Sequence, residues 1–299
     1  MVTGTVLERD GSTYRVLTAT GEVRAVLRGK MKRDMPRVVV GDRVRLDPGP
    51  VEGVLGICGV EERTSLLARR VPEGRGTRPV AANVDQVLVV TATTHPEPVP
   101  QLIDRLLVVA EANQIGAAVV LNKVDLDRGD RLADRYRRAG YDVVLTSVKS
   151  GEGLDQLRRR LQGRESVITG PSGVGKSSLL NALEPGLKLR TGQISPRIRR
   201  GTGTTVSAVM VPLSHGGYLV DTPGFSEVGL WGLEPRDLAH CFPEFRPLVA
   251  RCRFPDCSHL HEPGCAVAEA VISGAVQADR LQSYRVLFTE LQAMPKGWE

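Results

Sequence analysis

Val167-Ile168-Thr169-Gly170-Pro171-Ser172-Gly173-Val174-Gly175-Lys176-Ser177-Ser178-Leu179-Leu180-Asn181-Ala182-Leu183 joins an apolar strand to a helix-forming run through a glycine-rich loop. The stretch satisfies G-x-x-x-x-G-K-[ST] in the strand-loop-helix setting that the motif requires. Its glycines let consecutive backbone N–H groups and the start of the helix close around a phosphate. Lys176 is placed to reach the β- and γ-phosphates, and the Ser177 hydroxyl to help hold Mg²⁺. A phosphate-binding loop therefore anchors the reading of the chain.

On both sides of this loop, apolar β-branched runs alternate with helical patterns. Strands are expected at 87–90, 117–121, 143–145, 167–169, 206–213 and 218–220, and helices near 99–112, 128–139, 154–161 and 175–183. Continuous apolar strands separated by helices predict a parallel sheet covered on both faces. Asn122-Lys123-Val124-Asp125 follows the second strand, at a carboxyl end, where ligands of open α/β sheets bind. The Asp125 carboxylate can accept two hydrogen bonds from guanine N1–H and its 2-amino group. Adenine offers neither donor and would leave that carboxylate unpaired. Asn122 would brace the loop and the Lys123 stem would cover a base face. Thr146-Ser147-Val148-Lys149 ends the third strand, where backbone N–H groups near Val148 and Lys149 face guanine O6. Asp221-Thr222-Pro223-Gly224 closes the last strand, with Asp221 toward Mg²⁺ through water and the Gly224 N–H toward the γ-phosphate. In Gly201-Thr202-Gly203-Thr204-Thr205, either Thr205 or Thr204 supplies the remaining Mg²⁺ position.

The order of these elements is rotated. Ordinary small GTPases present the phosphate loop first and the N-K-x-D element fourth, whereas here Asn122 to Asp125 precedes Gly170. A circularly permuted P-loop α/β GTPase domain is expected over 80–228, leaving directly into whatever follows Gly224. Before it, 1–70 shows short β runs at 5–7, 14–17, 23–27, 38–40 and 43–46 separated by turns, which predicts a five-stranded OB-type β-barrel. Residues 71–79 (Val-Pro-Glu-Gly-Arg-Gly-Thr-Arg-Pro) are expected to be a linker. After it, 229–299 is expected to be a mostly helical zinc-binding domain. Cys252-x4-Cys257-x-His259-x5-Cys265 supplies three thiols and an imidazole, which suit tetrahedral Zn²⁺ in a closed structural site. His261 is an alternative fourth ligand that spacing does not separate from His259. Cys58 and Cys241 are expected to be small buried apolar residues.

Composition narrows the class further. The chain has 299 residues, 41% hydrophobic and 25% charged, with 40 Lys+Arg against 34 Asp+Glu and a net charge of +6. Such a balance excludes disordered and collagen-like classes and mildly favours an anionic partner. No apolar run approaches the roughly 18 residues of a membrane span, and the start lacks a signal-peptide layout. A cytoplasmic protein is expected, in which five cysteines do not form a disulfide framework. Arg24, Arg28, Lys30, Lys32, Arg33 and Arg37 give the barrel a positive strip, and Lys188, Arg190, Arg197, Arg199 and Arg200 make the switch segment basic.

These features together closely resemble the ribosome small-subunit-dependent GTPase A family, circularly permuted GTPases of late 30S maturation. The resemblance is carried by Arg28-Gly29-Lys30, Val40-Gly41-Asp42-Arg43-Val44, Ala82-Asn83-Val84-Asp85-Gln86, Asn122 to Asp125, Gly170 to Ser178, Asp221 to Gly224 and the cysteine-histidine cluster. It implies zinc ligands Cys252, Cys257, His259 and Cys265, and GTP contacts at Asn122 to Asp125 and Gly170 to Ser178. It also implies the 30S subunit and 16S rRNA as partners. No DNA or membrane partner is expected, and the chain is expected to be a monomer. Gly203 stands where the family commonly carries a switch histidine, and Phe225 where many GTPases carry a water-orienting glutamine. Slow intrinsic hydrolysis, completed by ribosomal groups, follows from that departure. A nucleotide-gated RNA-binding module with incidental turnover is the second reading. A P-loop kinase or ATPase is disfavoured by Asn122 to Asp125, and a zinc hydrolase by the closed ligand set.

Overall fold

Every residue of Gln86–Ala92 is buried, as a strand covered on both faces requires. In the computed structural model, which describes residues 2–28, 36–49, 51–70, 77–185, 208–221, 230 and 233–294, this strand lies inside a twisted sheet. With β1 to β7 assigned to the N-terminal region below, it is β8, followed by α1 (Pro100–Ala112), β9 (Gly116–Asn122), α2 (Asp130–Arg138) and β10 (Asp142–Thr146). Then come α3 (Leu154–Leu161), β11 (Glu165–Thr169), α4 (Lys176–Leu183), β12 (Val209–Pro212) and β13 (Tyr218–Asp221).

The order β10-β9-β8-β11-β13 is parallel throughout, and β12 adds an antiparallel strand beside β13. The expected all-parallel sheet is corrected by that one strand: β12 and β13 are joined by a short turn, which permits only antiparallel pairing. The chain moves outward from β8 to β10, then returns to place β11 against the other side of β8. That reversal opens a crevice at the carboxyl ends of β8 and β11, the position at which such sheets bind ligands. Alternation sorts the two faces. Val87, Val89, Val119, Leu121 and Val167 pack with α1 and α2, while Leu88, Val90, Val120, Val144 and Ile168 pack with α3 and α4.

Strands β1 (Val2–Asp10), β2 (Thr13–Thr18), β3 (Gly21–Leu27), β4 (Arg43–Pro48) and β5 (Val54–Val60) close into a barrel in the order 1-2-3-5-4-1 around Val6, Tyr14, Val16, Val44, Leu46 and Ile57. The expected strand at 38–40 is a buried loop instead. Its Val39 N–H is drawn to the Asp42 carboxylate at 2.8 Å, and only Val40 makes a β-bridge, to Ala81. The fifth strand is Val54–Val60, whose propensity is masked by Gly56 and Gly59. Those glycines leave room for the Arg28 and Arg45 side chains, which lie where a Cβ would stand.

Strands β6 (Leu66–Arg70) and β7 (Thr77–Ala82) form a separate hairpin, so residues 77–79 of the expected linker are paired with 68–70. Asn83, in a left-handed conformation at φ 57°, latches barrel to sheet. Its amide donates to Gly41 O at 2.8 Å, and its Oδ1 accepts the Thr64 N–H at 2.9 Å. Buried Asp42 accepts Arg63 twice, at 2.7 and 2.9 Å. Barrel and sheet are continuous through β1 and β12, paired at Glu8 and Val209.

The C-terminal part contains a 3-10 turn at Pro235–Cys241, then α5 (Arg246–Val249), α6 (Ala266–Ile272) and α7 (Ala278–Ala293). Its Phe242, Phe245, Tyr284 and Leu287 share one apolar core with α1 and α2. A buried ion cluster crosses that seam. Asp104 of α1 accepts Arg135 of α2 and Arg280 of α7, each at 2.7 Å, and Arg280 also meets Glu244 at 2.6 Å while lying over the Phe242 ring. No described helix is long and apolar enough to cross a membrane.

Two predictions follow from these seams. Asp104→Ala leaves two buried guanidinium groups short of their shared partner and lowers stability by about 3–5 kcal/mol, read by chemical denaturation. The second concerns Glu165, buried at the foot of β11, with Oε2 lacking a hydrogen-bond partner and Arg43 of the barrel 4.0 Å away. Burial, aided by the charge of Asp85, pushes its carboxyl up to about 7 despite Arg43. Between the ordinary carboxylate range and pH 7 the folded state holds a proton that the unfolded state has released, so stability falls as pH rises through that window. Glu165→Gln removes this slope, and its melting temperature relative to wild type rises from pH 5 to pH 8.

Candidate active site and metal centre

At the carboxyl edge of the sheet, loops distant in sequence interlock around the turn that follows β11. Gly170, Gly173 and Gly175 take φ of 139°, 80° and 96°, a region that favours glycine. A Cβ at Gly170 would stand 1.9 Å from Val90 O, and one at Gly175 would stand 2.4 Å from the Asn122 amide nitrogen. The loop is thus pressed against β8 on one side and the end of β9 on the other. Helix α4 opens at Lys176, so its free N–H groups face the same concavity. Ser177 is buried in the first turn, and Pro171 and Ser178 are half-buried, whereas Ser172 and Gly173 are exposed. Lys176 Nζ donates to Gly170 O at 2.7 Å and Pro171 O at 2.6 Å, holding its charge inside the loop.

Asn122 ties the base-proximal elements together. Its amide donates to Val174 O at 2.9 Å, and its Oδ1 accepts the Thr146 hydroxyl at 3.2 Å. Lys123, at φ 66°, donates to Gly173 O at 2.9 Å and also to His95 O. Val124 is buried and bonds Thr146 O through its N–H at 3.2 Å. Asp125 remains exposed, oriented by the Ser147 hydroxyl at 2.6 Å, and the same hydroxyl accepts the Ser150 N–H at 3.1 Å. Val148 and Lys149 are exposed along the adjoining rim. A carboxylate held at one oxygen, beside a glycine cradle and a helix N-terminus, suits a nucleotide with a donor-bearing base.

Of the remaining expected positions, Asp221 ends β13 at the same edge, and its side chain is not described. Thr204, Thr205, Gly203, Gly224, Phe225 and the basic run 188–200 lie outside the described residues, as do Lys30, Lys32 and Arg33 of the barrel strip. Sequence reasoning overlooked Thr146 as a brace for Asn122, and the loop after β8, whose Pro96 approaches Gly173. The Thr-Ser pair before Val148 carries the first signal, whereas nothing local marks the second.

The cysteine-histidine cluster comes together as the spacing predicts. One donor atom from each of Cys252, Cys257, His259 and Cys265 lies within 4.8 Å of the others. His259 Nδ1 is 3.6 Å from Cys252 Sγ and 3.4 Å from Cys265 Sγ. Tetrahedral Zn²⁺ with ordinary bond lengths gives an N···S edge of about 3.5 Å. Burial pushes the His259 imidazole toward its neutral, metal-binding form. The donor set therefore fits zinc. His261 is exposed, which resolves the alternative in favour of His259.

Backbone geometry around the ligand is fixed from two directions. Glu262 accepts the N–H groups of Ser258, Leu260 and His261 at 2.7, 3.1 and 3.2 Å. Burial works against its charge, but these bonds and the Ser258 hydroxyl prevail and hold the carboxyl at about 2. From α7, Tyr284 donates to Ser258 O at 3.0 Å and Arg285 to Leu260 O at 2.8 Å. Glu262 was not singled out in the sequence, although its carboxylate organises the turn. Cys241 is buried as expected, whereas Cys58 is half-buried.

Residues 60–231 match the model of the RsgA GTPase family. The chain belongs to the RsgA GTPase family. A relative from Gemmatimonas aurantiaca, named small ribosomal subunit biogenesis GTPase RsgA, is 49% identical over 97% of this chain and 97% of its own. The crystal structure of YjeQ from Thermotoga maritima is similar at TM-score 0.82 and 36% identity, over 98% of this chain and 99% of that one. YloQ, described as a circularly permuted GTPase, is similar at TM-score 0.78 and 30% identity, over 99% and 97%. As a member of the RsgA family the chain is a GTPase, and the rotated motif order is that of a permuted one.

For the metal centre, purified protein is expected to carry one zinc per chain by atomic emission. His259→Ala loses the ion readily to a chelator, whereas His261→Ala retains it as wild type does.

Proposed function

We propose that this chain binds GTP at the interlocked loops, hydrolyses it, and uses the nucleotide state to gate its binding to the small ribosomal subunit during late maturation. The observation that carries this reading is that Asn122 and Lys123 bond the loop Gly170 to Ser178, while Asp125 of the same N-K-x-D element is oriented by Ser147. Asp125 reads guanine, and N–H groups near Val148 and Lys149 meet O6. Gly170 to Gly175 wrap the phosphates, and Lys176 moves from the loop carbonyls to the β- and γ-oxygens. Ser177, Thr205 or Thr204, and Asp221 through water are the residues that would hold Mg²⁺, with the Gly224 N–H toward the γ-phosphate. When bound, Mg²⁺ neutralises charge on the phosphate oxygens. Cys252, Cys257, His259 and Cys265 hold one structural Zn²⁺.

The proposed division of labour has a barrel within 1–70 and a zinc-binding unit at 229–299 flanking a GTPase at 80–228, with Leu66–Arg70 and Thr77–Ala82 paired as a hairpin between barrel and sheet. Both flanking units contact 16S rRNA, and the protein works as a cytoplasmic monomer. The names of the relatives support the ribosomal assignment, and the net charge of +6 supports an RNA partner. Gly203 has no side chain to orient water and Phe225 no polar group, so the bound subunit completes the catalytic set. The same two residues favour, as a second reading, a nucleotide-gated rRNA-binding module in which turnover is incidental.

Turnover of GTP and XTP, with and without purified 30S subunits, tests the proposal in wild type and Asp125→Asn. Wild type is expected to hydrolyse GTP slowly alone and at least 10-fold faster with 30S. Asp125→Asn is expected to prefer XTP and to keep the stimulation. Equal rates with and without 30S would favour the second reading, and unchanged GTP preference in the variant would remove the base assignment.

A further inference from the structure

Between the first two zinc ligands the chain turns through Arg253-Phe254-Pro255-Asp256, and all four residues are exposed. Phe254 is 39% exposed, and among the described residues it is the only aromatic side chain in the exposed class. A single exposed ring is ordinary by itself; the charged groups gathered on the same turn make this one informative.

The turn is held rigid from below. Cys252 and Cys257 bracket it, and the Cys257 N–H bonds Phe254 O at 3.2 Å. The Arg253 N–H bonds Gly264 O at 3.0 Å, and its side chain crosses Gly264 so closely that a Cβ there would be 3.0 Å from the Arg253 Cβ. Gly264 therefore lets the stem lie flat, which sets the Arg253 guanidinium 5.5 Å from the Phe254 ring centroid. Arg251, two residues earlier in the chain, is also exposed. Among the described residues neither Arg251 nor Arg253 forms an ion pair with a carboxylate, and Asp256 is the one acid on the tip.

An exposed ring with a guanidinium over one face, and a second exposed arginine three residues earlier in the chain, matches the recognition chemistry of a nucleobase on the other face and its phosphates. Bases inside an A-form duplex are stacked on both faces, so the complementary ligand is an unpaired nucleotide. We propose that residues 251–256 form a stacking platform for an unpaired base of 16S rRNA, with Phe254 against the base and Arg251 and Arg253 against the adjoining phosphates. The inference rests on the rRNA reading above and names the part of the zinc-binding unit that makes contact.

Affinity for purified 30S subunits and for protein-free 16S rRNA, measured with the full chain and a non-hydrolysable GTP analogue, tests it. Zinc content is checked in each variant. Phe254→Leu keeps apolar bulk but removes the π-face, and is expected to weaken both complexes about 5- to 100-fold. Phe254→Tyr is expected to bind as wild type does. Arg253→Gln is expected to reduce the salt slope of log Kd by about one. Wild-type affinity in Phe254→Leu would overturn the platform. A loss confined to intact 30S, with naked rRNA unaffected, would assign the ring to a ribosomal protein and overturn it too. Failure of wild type to bind either probe would overturn the rRNA reading itself, and the wild-type control identifies that case.

Discussion

The Asn122 side chain carries the constraint on which the nucleotide site depends. One amide group joins the ends of β9 and β10 to the loop after β11 by donating to Val174 O and accepting from the Thr146 hydroxyl. All three partners are buried or nearly so, and leaving such a donor or acceptor unpaired costs about 1–3 kcal/mol. The bond therefore selects one arrangement of three loops rather than adding much net stability. Gly175 completes the selection, since any larger residue would occupy the place of the amide nitrogen. Contacts of this kind are indifferent to chain order. That is why the rotated sequence keeps a workable pocket: strands meet at the same edge, and the breaks between them fall elsewhere.

Around this pocket the flanking parts are bound by buried polar contacts. On one side, Asn83 and Gly41 interlock barrel and sheet, and β1 pairs with β12. On the other, Asp104, Arg135, Arg280 and Glu244 tie α7 to the helices that follow β8 and β9. A buried ion cluster is poor evidence of extra stability, because desolvation offsets much of the attraction. Its geometry is demanding, however. Arg280 satisfies Asp104 and Glu244 only if α1 and α7 keep their relative positions. In this structure the C-terminal helices are therefore held to the helices of the sheet domain through that cluster.

Much of this was legible in the sequence wherever one local pattern dictated one structure. Gly170 to Ser178 demanded a strand, a tight loop and a helix, and four of the parallel strands announced themselves as apolar β-branched runs. The cysteine spacing fixed a cluster, though not which histidine joined it; burial of His259 decided that. Failures had a common cause. Val38 to Val40 looks like a strand because it is apolar, yet its amides are claimed by the Asp42 side chain and a single bridge. Val54 to Val60 looks weak because Gly56 and Gly59 lower its propensity, yet those glycines seat arginines from neighbouring strands. In the first case the deciding partner is the nearby Asp42 side chain, and in the second it is an arginine from a neighbouring strand. Asp104 escaped notice because Arg135 and Arg280 reach it only after folding, whereas the partners of Glu262 are local backbone groups whose turn geometry no side-chain pattern announces.

The cysteine-histidine cluster illustrates how local constraint becomes a surface property. Three N–H groups converge on Glu262, two carbonyls are held by α7, and four side-chain donors lie within 4.8 Å of one another. So many constraints on fourteen residues exceed what is needed to close a short loop. A metal alone would fix the ligands, and α7 alone would fix the backbone; together they leave the turn between Cys252 and Cys257 with little conformational freedom. Ordering a surface loop on binding subtracts from affinity, so a turn already ordered loses less. The exposed ring at its tip thus begins from a favourable position for a weak, sequence-tolerant contact. The same economy applies at the nucleotide site, where Asp125 is oriented by Ser147 before any base arrives.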